Sequence, residues 1–175
     1  MPNNDTHIGA VGNHIALAGA SFTRPANTTA YASGNLIANS TTAGSVVPMT
    51  FVAARDLDIT GSVRRARIKV NDAAWTTAGA TVRLHLYKTS PIVANGDGAA
   101  WSSTESEYLG ALDVTFDKAF SDPFSKGVGV PNNGSEINFA PDSGKTSIYG
   151  LLEARGAVTP ASASVWTATL EVLQN

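Results

Sequence analysis

Alternation between apolar and polar residues dominates this sequence, and it restricts the chain to β-structure. In the segment SVRRARIKV (62–70) three apolar residues alternate with three cations, namely Ala66, Ile68 and Val70 with Arg65, Arg67 and Lys69. Successive side chains of a strand point to opposite faces of a sheet. The segment therefore predicts a half-buried strand that carries a basic stripe, Arg65, Arg67 and Lys69, on its open face.

Seven further segments have strand character and are separated by turns rich in Gly, Pro, Asn and Asp. They are HIALAGASF (14–22), SVVPMTFVA (45–53), TVRLHLY (81–87), YLGALDVTF (108–116), EINFA (136–140), SIYGLLEA (147–154) and VWTATLEVL (165–173). Short strands joined by such turns favour two packed antiparallel sheets. We predict one all-β domain over residues 1–175, a jelly-roll-like β-sandwich of about eight strands. Residues 1–13 are predicted to form an extended N-terminal arm.

A polar thread, FTRPANTTAY (22–31), follows the first of these segments. Proline has no backbone N–H, so Pro25 ends strand pairing or confines it to an edge. It also favours extended geometry at Arg24. Tyr31 is the only large side chain that follows Pro25 within the thread. The thread is therefore predicted to be ordered either over its own sheet or against a neighbouring subunit, with Arg24, Pro25 and Tyr31 as candidate interface residues.

Composition excludes several classes of function. Only 15% of residues are charged and the net charge is −2, which gives no electrostatic basis for binding nucleic acid. The sequence has no cysteine, so disulfides and thiolate metal sites are excluded. The segment MPNNDTHIGAVGNH lacks the basic and apolar regions of a signal peptide. No apolar run approaches 18 residues, so no membrane span is predicted.

No motif predicts catalysis, a metal or a cofactor. Gly144-Lys145-Thr146 resembles the end of a phosphate-binding loop, but Phe139 stands where that loop needs a glycine. The three histidines, His7, His14 and His85, do not have zinc-ligand spacing. The acidic pairs Asp56/Asp58 and Glu105/Glu107 do not have the flanking arrangement of glycosidase carboxylates. The turn Asn95-Gly96-Asp97 lacks the series of acidic residues of a calcium loop. We predict a protein that is not an enzyme.

Two kinds of binding stay open. The basic stripe is either a solvated face that discourages edge-to-edge aggregation or a surface that docks on an acidic protein. Trp75 and Trp101 lie in turn-rich segments, where they could form a platform for a sugar. Trp166 alternates with alanine and leucine, which predicts a core position.

The segment SFTRPANTTAYASGNLIANS (21–40) resembles small structural proteins of tailed bacteriophages and prophages. The resemblance extends in order over most of the chain, through RLHLY (83–87), the turn from Asp97 to Trp101, EYLG (107–110) and LEVL (170–173). Family members often have Asp at the position of Asn35, which retains a polar turn and implies no particular chemistry.

This resemblance implies a non-enzymatic capsid decoration or cement protein that binds the outside of the phage head and stabilises it. The implied partner is the major capsid protein of the same virion, and a homo-oligomer, with a trimer favoured, is also implied. The protein would be made in the host bacterial cytoplasm and located on the capsid surface, without a cofactor. Two alternatives remain, namely a tail, fibre or adhesin component of the virion and a carbohydrate-binding β-sandwich module.

Overall fold

The computed structural model describes residues 14–103, 107–118 and 121–175, and the predicted N-terminal arm lies outside these ranges. The described ranges contain ten strands: β1 (His14–Thr23), β2 (Leu36–Ile37), β3 (Met49–Val52), β4 (Gly61–Val70), β5 (Thr81–Tyr87), β6 (Tyr108–Thr115), β7 (Ser125–Pro131), β8 (Ile137–Phe139), β9 (Ser147–Ala154) and β10 (Val165–Gln174). They also contain a short 3₁₀ helix (Ala43–Ser45) and a single-turn helix α1 (Ala74–Thr77). The predicted all-β class is confirmed.

The strands form two antiparallel layers. The first sheet has the order β1-β10-β4-β7, and β8 pairs with the beginning of β4. The second sheet has the order β6-β5-β9, and both β2 and β3 pair with β9. A short pairing of β6 with β7, Leu112 with Pro131 and Asp113 with Val130, joins the two sheets along one side. The ten strands are therefore one curled sheet.

The strand order is that of a jelly roll. If the short strands β2 and β8 are left out, the remaining eight strands can be numbered 1 to 8 along the chain. The strand order is then 1-8-3-6 in the first sheet and 2-7-4-5 in the second. This order is the one that two Greek keys folded over each other produce. The predicted jelly-roll-like sandwich is thus confirmed at the level of topology.

The hydrophobic core lies between the sheets. Its largest fully buried side chains, each less than 2% exposed, are Trp75, Trp166, Tyr31, Phe51 and Phe116. Alternation fills this core as predicted, because inward residues of β4 and β10 are buried while their neighbours face solvent. A smaller apolar cluster around Tyr87 and Leu151 lies on the other side of the second sheet. It is covered by the segments that flank it in the chain, which include the half-buried Trp101.

Strand β7 was not predicted, because its apolar side chains lie on the exposed face and not on the buried one. In SKGVGVP the valines face solvent, with Val128 59% and Val130 62% exposed, and the glycines face inward. A Cβ on Gly129 would lie 2.1 Å from the carbonyl oxygen of Asp113, and one on Gly127 would lie 2.6 Å from that of Thr115. Both residues must therefore be glycine if β7 is to approach β6 so closely.

Gly129→Ala is expected to lower the free energy of unfolding by about 1–3 kcal/mol, because the added methyl group overpacks a backbone contact. Urea denaturation monitored by circular dichroism measures the change. Gly44→Ala is the matched control, because a Cβ there has no neighbour within 4 Å. It should stay within about 0.5 kcal/mol of the wild type. Equal stability of the two variants would contradict the close packing of β6 and β7.

Candidate interaction face

The basic stripe lies on the outer face of the first sheet. Ala66, Ile68 and Val70 of β4 are buried, whereas Arg65, Arg67 and Lys69 point to solvent. An irregularity in the register between β4 and β10 places Arg64 on the exposed side as well. The predicted orientation of the stripe is confirmed, while its role as a contact surface stays a prediction.

Only part of the stripe's charge is neutralised. Arg65 Nε donates to Glu171 Oε2 over 2.6 Å, and Arg67 Nη2 approaches the same oxygen at 3.4 Å. Both arginine side chains are nearly half exposed, so these ion pairs contribute at most about 1 kcal/mol each. Lys69 forms no salt bridge within the described ranges, although the Asp122 carboxylate is near enough to interact with it electrostatically, and its Nζ lies 4.5 Å from the centre of the Phe124 ring. The stripe therefore keeps a net positive charge.

Apolar side chains share this face with the cations. Val128 is directly opposite Arg67 in the register of β7 with β4, and Val130 follows two residues later. On β1, at the far edge of the same sheet, Ile15 is 53% and Leu17 59% exposed. Exposed apolar residues bordered by charges are typical of protein interaction sites. We call this surface, from β1 across β10 and β4 to β7, the outer face.

The polar thread lies over its own domain. Arg24 and Tyr31 are each 2% exposed, and Pro25 is half-buried. The Arg24 N–H donates to the carbonyl of Ser164, and the Tyr31 N–H to that of Val158. This burial gives no support to the interface role predicted for Arg24 and Tyr31, which stays a prediction, because neither side chain is exposed in this structure. Both act as internal anchors.

Asp97 is the residue on which the thread's anchors converge. Its carboxylate accepts from Arg24 Nη2 at 2.9 Å, from the Tyr31 hydroxyl at 2.5 Å and from the Ala38 N–H at 2.9 Å. The side chains of Arg24 and Asp97 are 0% and 1% exposed. Burial, and then the negative charge of Asp97, raise the pKa of Tyr31, so its phenol stays protonated and donates. The cluster is structural.

The tryptophans do not form a sugar platform. Trp75 is fully buried, and its ring lies 4.8 Å edge-on from that of Trp166. The prediction that Trp75 is available to a ligand was therefore wrong, while the core position predicted for Trp166 is confirmed. Trp101 is half-buried and lies edge-on to His85, with 5.3 Å between ring centroids. One half-buried indole does not make a stacking surface for a glycan.

A polar network on the outside of the second sheet was not predicted. His85 Nε2 lies 2.7 Å from Glu153 Oε2, and His85 Nδ1 lies 3.2 Å from the Tyr108 hydroxyl. Arg155 holds the other oxygen of Glu153 at 2.8 Å. A neutral imidazole that donates from Nε2 leaves Nδ1 to accept from the phenol. Of these residues, only His85 is a candidate from the sequence. Glu153 lies beside it because strands β5 and β9 pair, and not because the two residues are close in sequence.

Glu153, His85 and Tyr108 are arranged like a carboxylate and an imidazole that activate a nucleophile. The pKa shifts of His85 and Tyr108 do not suit that role. Burial lowers the pKa of His85, which keeps the imidazole neutral, and burial also raises the pKa of Tyr108. A phenol with a raised pKa is a poor nucleophile at neutral pH. The ring nitrogens of His85 and the oxygens of Glu153 already have partners, so we assign the network to stabilisation of the sheet.

The remaining acidic candidates have local roles. Asp58 accepts the Gly144 N–H at 2.8 Å, which ties two exposed turns together. Glu107 lies 3.7 Å from Lys88, and Glu105 lies outside the described residues. Within the described ranges no three His, Asp or Glu side chains converge as metal ligands. No helix of these ranges has the length and hydropathy that would be needed to cross a membrane.

The fold and the outer face together define an all-β jelly roll with an open surface of mixed basic and apolar character. The sequence matches no protein-family profile and no curated protein. Among solved structures, the chain is similar to a chain of the cyanophage Pam1 capsid asymmetric unit. The TM-score is 0.34 and the sequence identity 15%, with 99% of each chain covered.

Proposed function

We propose that this protein is a structural component of a tailed-bacteriophage virion, a decoration or cement protein that binds the outside of the head. The observation that carries the proposal is the outer face, where exposed valines of β7 stand beside a basic stripe that its neighbours only partly neutralise. The sequence resemblance of residues 21–40 to phage structural proteins supports the same assignment.

The outer face suits attachment to a large protein surface. Val128 and Val130 offer apolar area, which gives affinity, and Arg65, Arg67 and Lys69 offer charge, which gives orientation and partner choice. The face spans four strands, so it fits a broad contact better than a small ligand. Repeated on a shell, such weak contacts add up through multivalency. The trimeric state stays a prediction.

The proposal is tested by co-sedimentation with shells assembled from the major capsid protein of the same phage or prophage. The wild type should pellet with the shells. The variant Val128→Asp/Val130→Asp should pellet about tenfold less, because it places two anions in the apolar part of the contact. Thermal unfolding of the variant checks that the fold is intact.

The matched control is Val47→Asp/Val52→Asp, which changes two valines that are 66% and 63% exposed outside the outer face. It should sediment like the wild type. A wild-type protein that stays in the supernatant at micromolar concentration would reject the proposal. Binding to host cells in place of shells would reject it too, in favour of a tail or adhesin component.

A further inference from the structure

Three lysines lie side by side across the outer face. Lys69 of β4 is directly opposite Lys126 of β7, and an isolated bridge places Lys118 on the other side of Lys126. Neighbouring strands are about 5 Å apart, so the row is about 10 Å long. Like charges directly opposite each other destabilise an antiparallel pair. Stability therefore does not explain this lysine row, Lys69, Lys126 and Lys118.

Among the described residues, the carboxylates that pair with the row are exposed. Lys126 pairs with Asp122 at 2.5 Å and Lys118 with Asp117 at 2.6 Å, and the carboxylates are 40% and 58% exposed. Such pairs are strongly screened by water. Lys69 forms no salt bridge within the described part of the chain, although Asp122 also interacts with it electrostatically. The Phe124 ring lies near Lys69 and Lys126, at 4.5 and 5.7 Å from their Nζ atoms.

The lysine row borders a depression of about 380 Å³ in the sheet surface. Arg67 adds a fourth cation to its rim, and Thr167 and Thr169 line it from β10, while most of the lining surface is apolar. Gly127 contributes backbone only, which leaves this part of the depression open. Four cationic side chains around one open volume are donors that an anionic group can accept from, and the apolar lining between them can contact an apolar side chain beside that group.

We propose that the depression binds carboxylate side chains of an acidic segment of a partner protein. The segment would lie along the lysine row, with its carboxylates between the ammonium groups and its apolar residues against Val128. Where the partner is taken to be the major capsid protein, the inference rests on the proposed function. The site itself does not depend on that identity.

A protein partner fits this surface better than nucleic acid does. Asp117, Asp122 and Glu171 are interspersed among the cations, so the positive surface is short and suits a segment with a few carboxylates better than a long run of phosphates. Affinity for nucleic acid comes from many phosphate contacts over an extended basic surface, whereas this chain has a net charge of −2. An acidic protein segment needs only a few carboxylates and gains from the neighbouring valine.

The experiment measures binding of fluorescein-labelled decaglutamate to the full chain by anisotropy at low and moderate salt. The wild type should bind at low salt and weaken as salt is added, because the contacts are exposed ion pairs. Lys69→Gln/Lys118→Gln should bind about tenfold more weakly, since each exposed ion pair contributes a factor of roughly two to five. The control Arg55→Gln/Lys145→Gln removes the same charge from exposed loops and should bind like the wild type.

Three results would overturn the inference. The first is a wild type that does not bind decaglutamate at low salt, and the second is a control variant that loses as much affinity as the lysine-row variant. The third is a labelled DNA oligonucleotide that binds more tightly than decaglutamate and depends on the same lysines, since this would assign the site to nucleic acid. Failure of the wild type to co-sediment with shells rejects the proposed function alone and leaves the peptide result standing.

Discussion

Asp97→Ala is expected to lower the free energy of unfolding by about 3–5 kcal/mol, the cost of leaving a buried charge without its partner. The substitution takes away the carboxylate that accepts from Arg24, Tyr31 and the Ala38 N–H. Arg24 has no exposed side-chain surface, so water cannot replace the carboxylate. A domain has roughly 5–15 kcal/mol of stability in total. Urea denaturation should show this loss of stability as a midpoint at a much lower urea concentration.

Two variants separate the effect of burial from that of charge. Asp113→Ala breaks a bidentate pair with Arg83, at 2.6 and 2.7 Å, in which the arginine side chain is 25% and the carboxylate 36% exposed. It should cost no more than about 1 kcal/mol. Arg24→Met/Asp97→Ala removes the stranded guanidinium and should be about 1–3 kcal/mol more stable than Asp97→Ala. A double variant as unstable as the single one would contradict this account.

Long strands whose large apolar side chains share the buried face could be predicted from the sequence, whereas β7 and β2 could not. The alternation of 62–70 and 165–173 predicts β4 and β10 because large apolar residues on one face alternate with polar ones on the other. In β7 the inward positions are Gly127 and Gly129, so the only apolar residues visible in the sequence are on the exposed face. Strand β2 has two residues, too few for any period to appear.

The sites were harder to predict than the strands, because they depend on pairings between distant segments. Arg24 and Asp97 are 73 residues apart, and His85 and Glu153 are 68 apart. Nothing local in the sequence indicates either pair. The stripe on β4 could be predicted because one strand supplies all of it. The lysine row could not, because it takes one residue from each of three segments and its order is fixed by register.

Trp75→Ala is expected to lower the free energy of unfolding by about 3–5 kcal/mol, because it leaves a large cavity in the core. The indole is fully buried and contacts three other aromatic rings, with centroid distances of 4.8 Å to Trp166, 5.6 Å to Tyr31 and 6.0 Å to Phe116. The indole projects from the single turn of α1. The residues around α1 are typical of turns, so the sequence indicates an exposed loop there. Urea denaturation measures the change.

Trp101→Ala provides the comparison that distinguishes a core role from a ligand-binding role. Trp101 is half-buried in the smaller cluster. Its removal exposes less apolar surface, so Trp101→Ala should lower the free energy of unfolding by less than half as much as Trp75→Ala does. If Trp75 were a binding residue, as its sequence context suggests, its removal would leave stability within about 0.5 kcal/mol of the wild type. That outcome would place the ring at the surface and restore the carbohydrate-binding alternative. A loss of several kcal/mol would instead agree with a tryptophan whose four-ring cluster fills the space between the two sheets.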